Sequence, residues 1–170
     1  MGRTSEEITA TITFREMSAA DVLAVVAMEA ESFHDAWNEN MVLNELNNEL
    51  THYLIMEADG KTIGYAGFWL VAGEAQVTRV AVTKAERGKN YGTRLTAAMI
   101  NKAWELDAEA MTLEVRESNI AAQRAYITCG FASEGIRPNY YEDNHEDAII
   151  MWLYRRGINS NEEGCIYFRY

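Results

Sequence analysis

A strand, a glycine-marked loop, a helix and a second strand follow one another between residues 76 and 115, and this succession leaves the chain few ways to fold. Gln76-Val77-Thr78-Arg79-Val80-Ala81-Val82 is β-forming, and Arg87-Gly88-Lys89-Asn90-Tyr91-Gly92 supplies the loop. Thr93 to Leu106 repeats its apolar residues at Leu95, Met99, Ala103 and Leu106, which predicts an amphipathic helix. Ala110-Met111-Thr112-Leu113-Glu114-Val115 then returns as a strand. A crossover through a helix sets the two strands parallel, with a right-handed connection. Backbone N–H groups turned inward at such a helix start make an anion seat, so the unit is expected to grip phosphate.

The flanking sequence completes a mixed sheet of about six to seven strands with helices on its faces, an α/β (α+β) arrangement. Ile12-Thr13-Phe14-Arg15 alternates as a first strand, and Ser18 is a good N-cap for a helix carrying Val22, Val25, Val26 and Met28 at helical spacing. Trp37 to Leu50 reads as another helix, with Val42, Leu43, Leu46 and Leu50 as its inner stripe. Asp59-Gly60 separates two β-forming runs and predicts a hairpin, and Ala72-Gly73-Glu74 predicts the next turn. Asn119 opens a short helix through Cys129 with Gly130 at its end, Phe131 to Tyr141 reads as turn and strand, and Asp147 to Tyr154 as a final strand.

At 170 residues and 48% hydrophobic content, the chain is expected to form one domain over residues 1–156. Residues 157–170 are polar and turn-rich, then apolar from Cys165, and are expected to form a C-terminal tail, flexible or docked. Twenty-six Asp and Glu against fifteen Lys and Arg give a formal charge of -11, which argues against direct binding of a nucleic-acid backbone and fits a small molecule or a basic polypeptide. Cys129 and Cys165 make no disulfide framework, Met1 to Ala10 lacks the blocks of a signal peptide, and no apolar run approaches the roughly eighteen residues of a membrane span. A reducing cytoplasm is the expected location. His34, His52 and His145 are scattered, and no metal site is expected.

The loop is neither of two common phosphate grips. A dinucleotide fingerprint needs three glycines after the first strand, and a P-loop ends in Gly-Lys-Ser or Gly-Lys-Thr. Taken together, Val80-Ala81-Val82, the loop from Arg87 to Gly92, Leu113-Glu114-Val115-Arg116-Glu117-Ser118-Asn119, Ala125 to Phe131 and Gly135 to Tyr141 resemble the GNAT superfamily of N-acetyltransferases. Within it they are similar to the RimI-type enzymes, which acetylate the N-terminal alanine of ribosomal protein bS18. The resemblance covers about residues 12 to 154 and leaves the tail outside.

The resemblance implies a GNAT fold with its parallel strands splayed at the cofactor site, and acetyl-CoA as donor. The donor's pyrophosphate would sit on the amides of Arg87, Gly88, Lys89, Asn90, Tyr91, Gly92 and Thr93. Its pantetheine arm would lie beside Val80, Ala81 and Val82, with the Val82 N–H near the thioester carbonyl. Asn119 would cap its helix and touch that arm, although a plain N-cap explains it nearly as well. Asn90 stands where the family usually has Gly, and Asn tolerates left-handed angles better than most residues. Arg79 stands where related enzymes often carry Asn.

Acetyl transfer to an amine needs a neutral amine, a polarised carbonyl and a proton for the departing thiolate. Strand alternation places Thr112, Glu114 and Arg116 on one face, opposite Leu113 and Val115. Glu114 falls on the family's general base; the alternative is a carboxylate that merely pairs with Arg116, Arg79 or solvent. Tyr126 is a candidate general acid that also contacts the cofactor, or simply packs between helix and sheet. Tyr140 and Tyr141 are adjacent on an expected strand, so one would face the core and one the groove, with Tyr141 favoured toward substrate. Trp37 walls the same groove or is core, and Arg79 lines the acceptor cleft. Glu31, Asp35, Glu39, Glu45 and Glu49 form an acidic rim for a basic peptide or a solvated face.

The expected partner is the N-terminus of a basic protein, with bS18 first, met by a monomer or weak dimer. Other readings are acetylation of a lysine side chain or small-molecule amine, or a non-catalytic acyl-CoA-binding module.

Overall fold

The computed structural model describes residues 9–156, so the expectation for the tail from 157 to 170 lies outside the described residues. The chain runs β1 (Ile12–Glu16), a 3₁₀ turn (Ala19–Asp21), α1 (Val22–Ser32), α2 (Glu39–Leu46), β2 (Thr51–Ala58), β3 (Lys61–Val71) and β4 (Glu74–Val82). A second 3₁₀ turn (Lys84–Glu86) leads to α3 (Tyr91–Glu105), β5 (Ala110–Arg116), α4 (Ile120–Thr128), β6 (Ala132–Arg137) and β7 (Ala148–Tyr154). The strands form one sheet in the order β1-β2-β3-β4-β5-β7-β6. Every neighbouring pair is antiparallel except β4 with β5.

Both early hairpins close through two residues with positive φ, Asp59 and Gly60 at 49° and 79°, Ala72 and Gly73 at 49° and 81°. Such turns match the twist of the strands they join. The sheet separates two cores. On one face Leu95, Met99 and Ala103 of α3 and Tyr126 of α4 pack against Met111, Leu113 and Val115 of β5 and Phe68 of β3. On the other, Val22, Val25 and Met28 of α1 and Val42 of α2 cover Tyr53, Ile55, Tyr65 and Ala81.

Among the boundaries that differ from the sequence expectation, three lie near the cleft and its supports. The second helix is Glu39–Leu46 rather than 37–50, because the Asn38 side chain caps it by accepting the Met41 N–H at 3.0 Å. Helix α3 starts at Tyr91, so Tyr91 and Gly92, expected to end the loop, form its first turn with Thr93. The strand expected to reach Tyr141 stops at Arg137, and Asn139, with φ 53°, turns the chain.

Candidate active site

Strands β4 and β5 pair only through Glu74, Ala75 and Gln76 with Ala110, Met111 and Thr112, and then part. A bulge in β4 lies where they separate: Gly67 faces Arg79 and Phe68 faces Val77, leaving Thr78 as the extra residue. A bulge bends its strand and re-aims the residues beyond it. Side chains pin this one. The Thr78 hydroxyl donates to the Gly67 carbonyl at 3.2 Å and lies 2.9 Å from the Tyr53 hydroxyl, which donates to Glu45 at 2.8 Å.

The divergence opens a cleft of about 170 Å³ through the sheet, walled by Val77 to Val80 on one side and Leu113 to Arg116 on the other. Asn119, Ala122 and Tyr126 line it on the α4 side, Phe33 and Tyr141 on the α1 side. Thr83 donates its N–H to Ile63 in β3 at 2.8 Å, so strand alternation turns the N–H of Val82 away from β3, toward the gap.

At the α3 end of the gap, Gly88 and Asn90 take left-handed angles, φ 80° and 64°. The N–H groups of Tyr91, Gly92 and Thr93 stand in the first turn of a fifteen-residue helix, where they have no intrahelical acceptor. A Cβ built on Gly88 or Gly92 meets nothing within 4 Å. Open backbone, unspent amide donors and a helix dipole together form a seat that fits a diphosphate. The nearby cations are engaged elsewhere. Arg87 donates to the Val82 carbonyl at 3.0 Å and the Ser32 hydroxyl at 2.9 Å, and Lys89 pairs with Glu86 at 2.7 Å.

Asn119 caps α4, its side chain accepting the Ala122 N–H at 3.1 Å, and also lines the cleft. Tyr126 packs edge-on against Phe131 with ring centres 5.8 Å apart. Burial pushes its phenol well above the ordinary range, so it keeps its proton at any physiological pH. Its hydroxyl forms no hydrogen bond to the described residues, leaving a donor to spend in the cleft. Cys129 lies behind this wall, its thiol directed to the Thr93 carbonyl at 3.5 Å and pushed up by burial to about 11.

On the opposite face, Glu114 alternates away from the buried Leu113 and Val115, and one of its oxygens lies 3.4 Å from Arg137. Neither expected partner is free for it. Arg116 is held by Asp143 at 2.9 Å and Glu146 at 3.3 Å and stacks beneath Tyr141 at 3.8 Å, while Arg79 is bound to Glu29 at 3.2 Å and Asp35 at 3.1 Å. Glu146 also accepts the Ser118 N–H at 2.6 Å, which with its other bonds brings its carboxyl down to about 2. This ties the β6–β7 loop to the end of β5.

Tyr140 and Tyr141 do not divide between core and groove as a strand would require. They sit in the turn after Asn139, edge to face at 5.1 Å, with Tyr141 lining the cleft and Tyr140 exposed. Burial raises Tyr141 to about 12; burial and then the Glu114 charge raise Tyr140. Trp37 packs edge-on against Tyr53 at 6.4 Å and lies 4.3 Å from the Arg79 guanidinium, so it supports the wall from behind. Of the expected acidic rim, Glu31 accepts the Lys84 N–H at 3.0 Å, Glu45 is bound to Tyr53 and Trp69, each at 2.8 Å, and Glu39 and Glu49 are exposed.

Sequence reasoning missed Glu29 and Phe33. Glu29 falls four residues after Val25 on the inner stripe of α1, and an acid at such a position needs partners, which was the available signal.

A profile of the acetyltransferase (GNAT) family matches residues 22–131. A Bacillus subtilis (strain 168) protein provisionally named a ribosomal protein bS18-alanine N-acetyltransferase is 41% identical over 140 residues, spanning 82% of this chain and 93% of that protein. The ribosomal protein bS18-alanine N-acetyltransferase of Haemophilus ducreyi is 32% identical over 121 residues, 69% of this chain and 83% of its own length. The crystal structure of the ribosomal-protein-S18-alanine N-acetyltransferase from Escherichia coli superposes with a TM-score of 0.78 at 29% identity, covering 88% of this chain and 98% of that one.

Proposed function

The chain belongs to the acetyltransferase (GNAT) family, and from that premise we propose that it moves an acetyl group from acetyl-CoA to the α-amine of a protein N-terminus. The alanine of ribosomal protein bS18 is the acceptor that its relatives' names support. A protein acceptor of this kind is met in the cytoplasm.

The observation that carries this reading is a cleft passing through the sheet with a carboxylate on one face and a buried, unspent phenol on the other. Acetyl-CoA, when bound, supplies an acyl carbon activated as a thioester. The amides from Gly88 to Thr93 are the groups that would hold its diphosphate, the expected Arg87 N–H being turned instead to the Lys84 carbonyl at 3.5 Å, and the Val80 to Val82 edge its pantetheine arm, with Asn119 beside them. The Val82 N–H is the donor that would polarise the carbonyl.

An α-amine has a pKa of about 7.7 to 8.0, so a carboxylate suffices to take its proton near neutrality. Glu114 accepts that proton at its free oxygen while Arg137 fixes the other. Tyr126 donates its phenolic hydrogen toward the leaving sulfur. Tyr140 and Tyr141 clasp the first residues of the peptide, and Phe33 and Trp37 back the wall that faces them.

Turnover with peptides beginning Ala, Ser, Met and Gly, beside an internal-lysine control, tests the proposal, with mass spectrometry locating the acetyl group. Acetyl on the α-amine of the Ala peptide is expected. Acetyl on the lysine control alone overturns it. Glu114→Gln should lower kcat by roughly 10²-fold or more at neutral pH. The deficit should shrink above pH 8, where the amine is already neutral; an equal deficit across pH removes Glu114 as base.

A further inference from the structure

Arg79 enters the cleft wall from β4, yet its contacts run to the segment between α1 and α2. Its Nε donates to Glu29 Oε1 at 3.2 Å, and its Nη2 donates to both the backbone carbonyl and Oδ2 of Asp35, at 3.2 and 3.1 Å. The guanidinium carbon lies 4.5 Å from the Phe33 ring centre and 4.3 Å from that of Trp37. Glu29 is completely buried; its other oxygen accepts the Trp37 N–H at 2.9 Å, and Oε1 also receives the Tyr65 hydroxyl. The turn from Phe33 to Trp37 is therefore folded around a cation.

Counting charge gives this turn a further property. The Glu29–Arg79 ion pair balances itself, with the Arg79 side chain 13% exposed and that of Glu29 0%. Asp35 is the surplus. Its side chain is 78% exposed, held at the rim by a guanidinium whose charge Glu29 already offsets. The neighbouring His34 lies 3.6 Å from Asp143 in the β6–β7 loop, and Phe33 and Tyr141 line the same cleft, so the turn that carries Asp35 stands on the acceptor side beside the aromatic pair.

We propose that Arg79, braced by Glu29, is a positioning residue that fixes the Phe33 to Trp37 turn as the acceptor-side wall and presents the Asp35 carboxylate to a cationic residue following the acceptor α-amine. The inference rests on the N-terminal acetylation reading above. A carboxylate already fixed in place forms a charge-assisted hydrogen bond without first losing side-chain freedom. Lysine cannot replace Arg79, because its single ammonium has neither the planar fork nor the stacking surface that the turn uses.

Steady-state kinetics with acceptor and donor varied separately test this, using peptides that begin Ala-Arg and Ala-Ala. Arg79→Lys should raise the acceptor KM about tenfold, with kcat and the acetyl-CoA KM changing less than about twofold. Asp35→Asn, on a side chain 78% exposed whose amide oxygen can still accept from Arg79, should raise the KM for the Ala-Arg peptide about tenfold, much more than for Ala-Ala, and the gap should close as salt is added. Unchanged acceptor KM in both variants overturns the inference, and so does a parallel loss of donor and acceptor binding, which marks general weakening of the fold. Wild-type enzyme that acetylates no N-terminal peptide removes the functional reading and this inference together; an active wild type with indifferent variants removes this inference alone.

Discussion

The ring of Tyr53 occupies the space that a side chain on Gly67 would need: a Cβ there would fall 1.9 Å from Tyr53 Cδ1 and 2.0 Å from Cε1. This close approach lets the Tyr53 hydroxyl reach Thr78 and hold the bulge that parts β4 from β5. Gly67→Ala must expel the ring and release that hydroxyl. It should cost roughly 1–3 kcal/mol of stability in chemical denaturation, and kcat/KM should fall with it. Full stability in the variant would show that Tyr53 moves aside freely.

Gly92 contrasts with Gly67. It lies in the first turn of α3, and open space surrounds its missing side chain. Valine there is tolerated by the helix, being about 0.3–0.5 kcal/mol more favourable than glycine in helical positions. Gly92→Val should therefore leave the thermal midpoint in place and weaken coenzyme A binding by about tenfold or more, as read by calorimetric titration. An unaltered titration would remove the diphosphate seat from this turn.

Tyr126→Phe removes a hydroxyl that supports no hydrogen bond among the described residues and keeps the ring that packs on Phe131. Denaturation should shift by less than about 0.5 kcal/mol, while kcat falls by roughly 10²-fold. Retained turnover would leave Tyr126 as packing alone.

Asp21 governs acid stability at the entrance to α1. It accepts two guanidinium hydrogen bonds from Arg15, at 2.8 and 2.7 Å, and the Ser18 N–H at 2.8 Å, and Arg15 foremost holds its carboxyl at about 2 instead of the usual 3.8. A folded-state pKa below the unfolded one gives stability that is complete above pH 4 and is lost as pH falls toward 2. The deficit of Asp21→Asn should be about 2 kcal/mol at pH 7 and close between pH 4 and 2. Denaturation curves at several pH values check it, and a constant deficit would mean that the lost ion pair has no part in acid unfolding.

Periodicity made the elements legible because burial on one face dictates it: the alternation of Met111, Leu113 and Val115 turns Glu114 to the opposite face. Contacts between distant segments were not legible in the same way. The partner of Glu114 is Arg137, from another strand, and the Thr78 bulge is a one-residue slip in pairing that leaves no mark on hydropathy. Pro138-Asn139 is a local turn signal, and it ends β6 before the tyrosines. Arg79 was legible as a cleft residue through the family resemblance, but its attachment to Glu29 and Asp35 depends on how α1 crosses the sheet.

Three residue pairs stitch the first four strands to the last three. Mechanically the sheet is two leaves joined along one short seam, each stiff within itself because its own ladders are longer. Whatever lies along the open edge of β4 lengthens that seam, so occupancy and rigidity rise together.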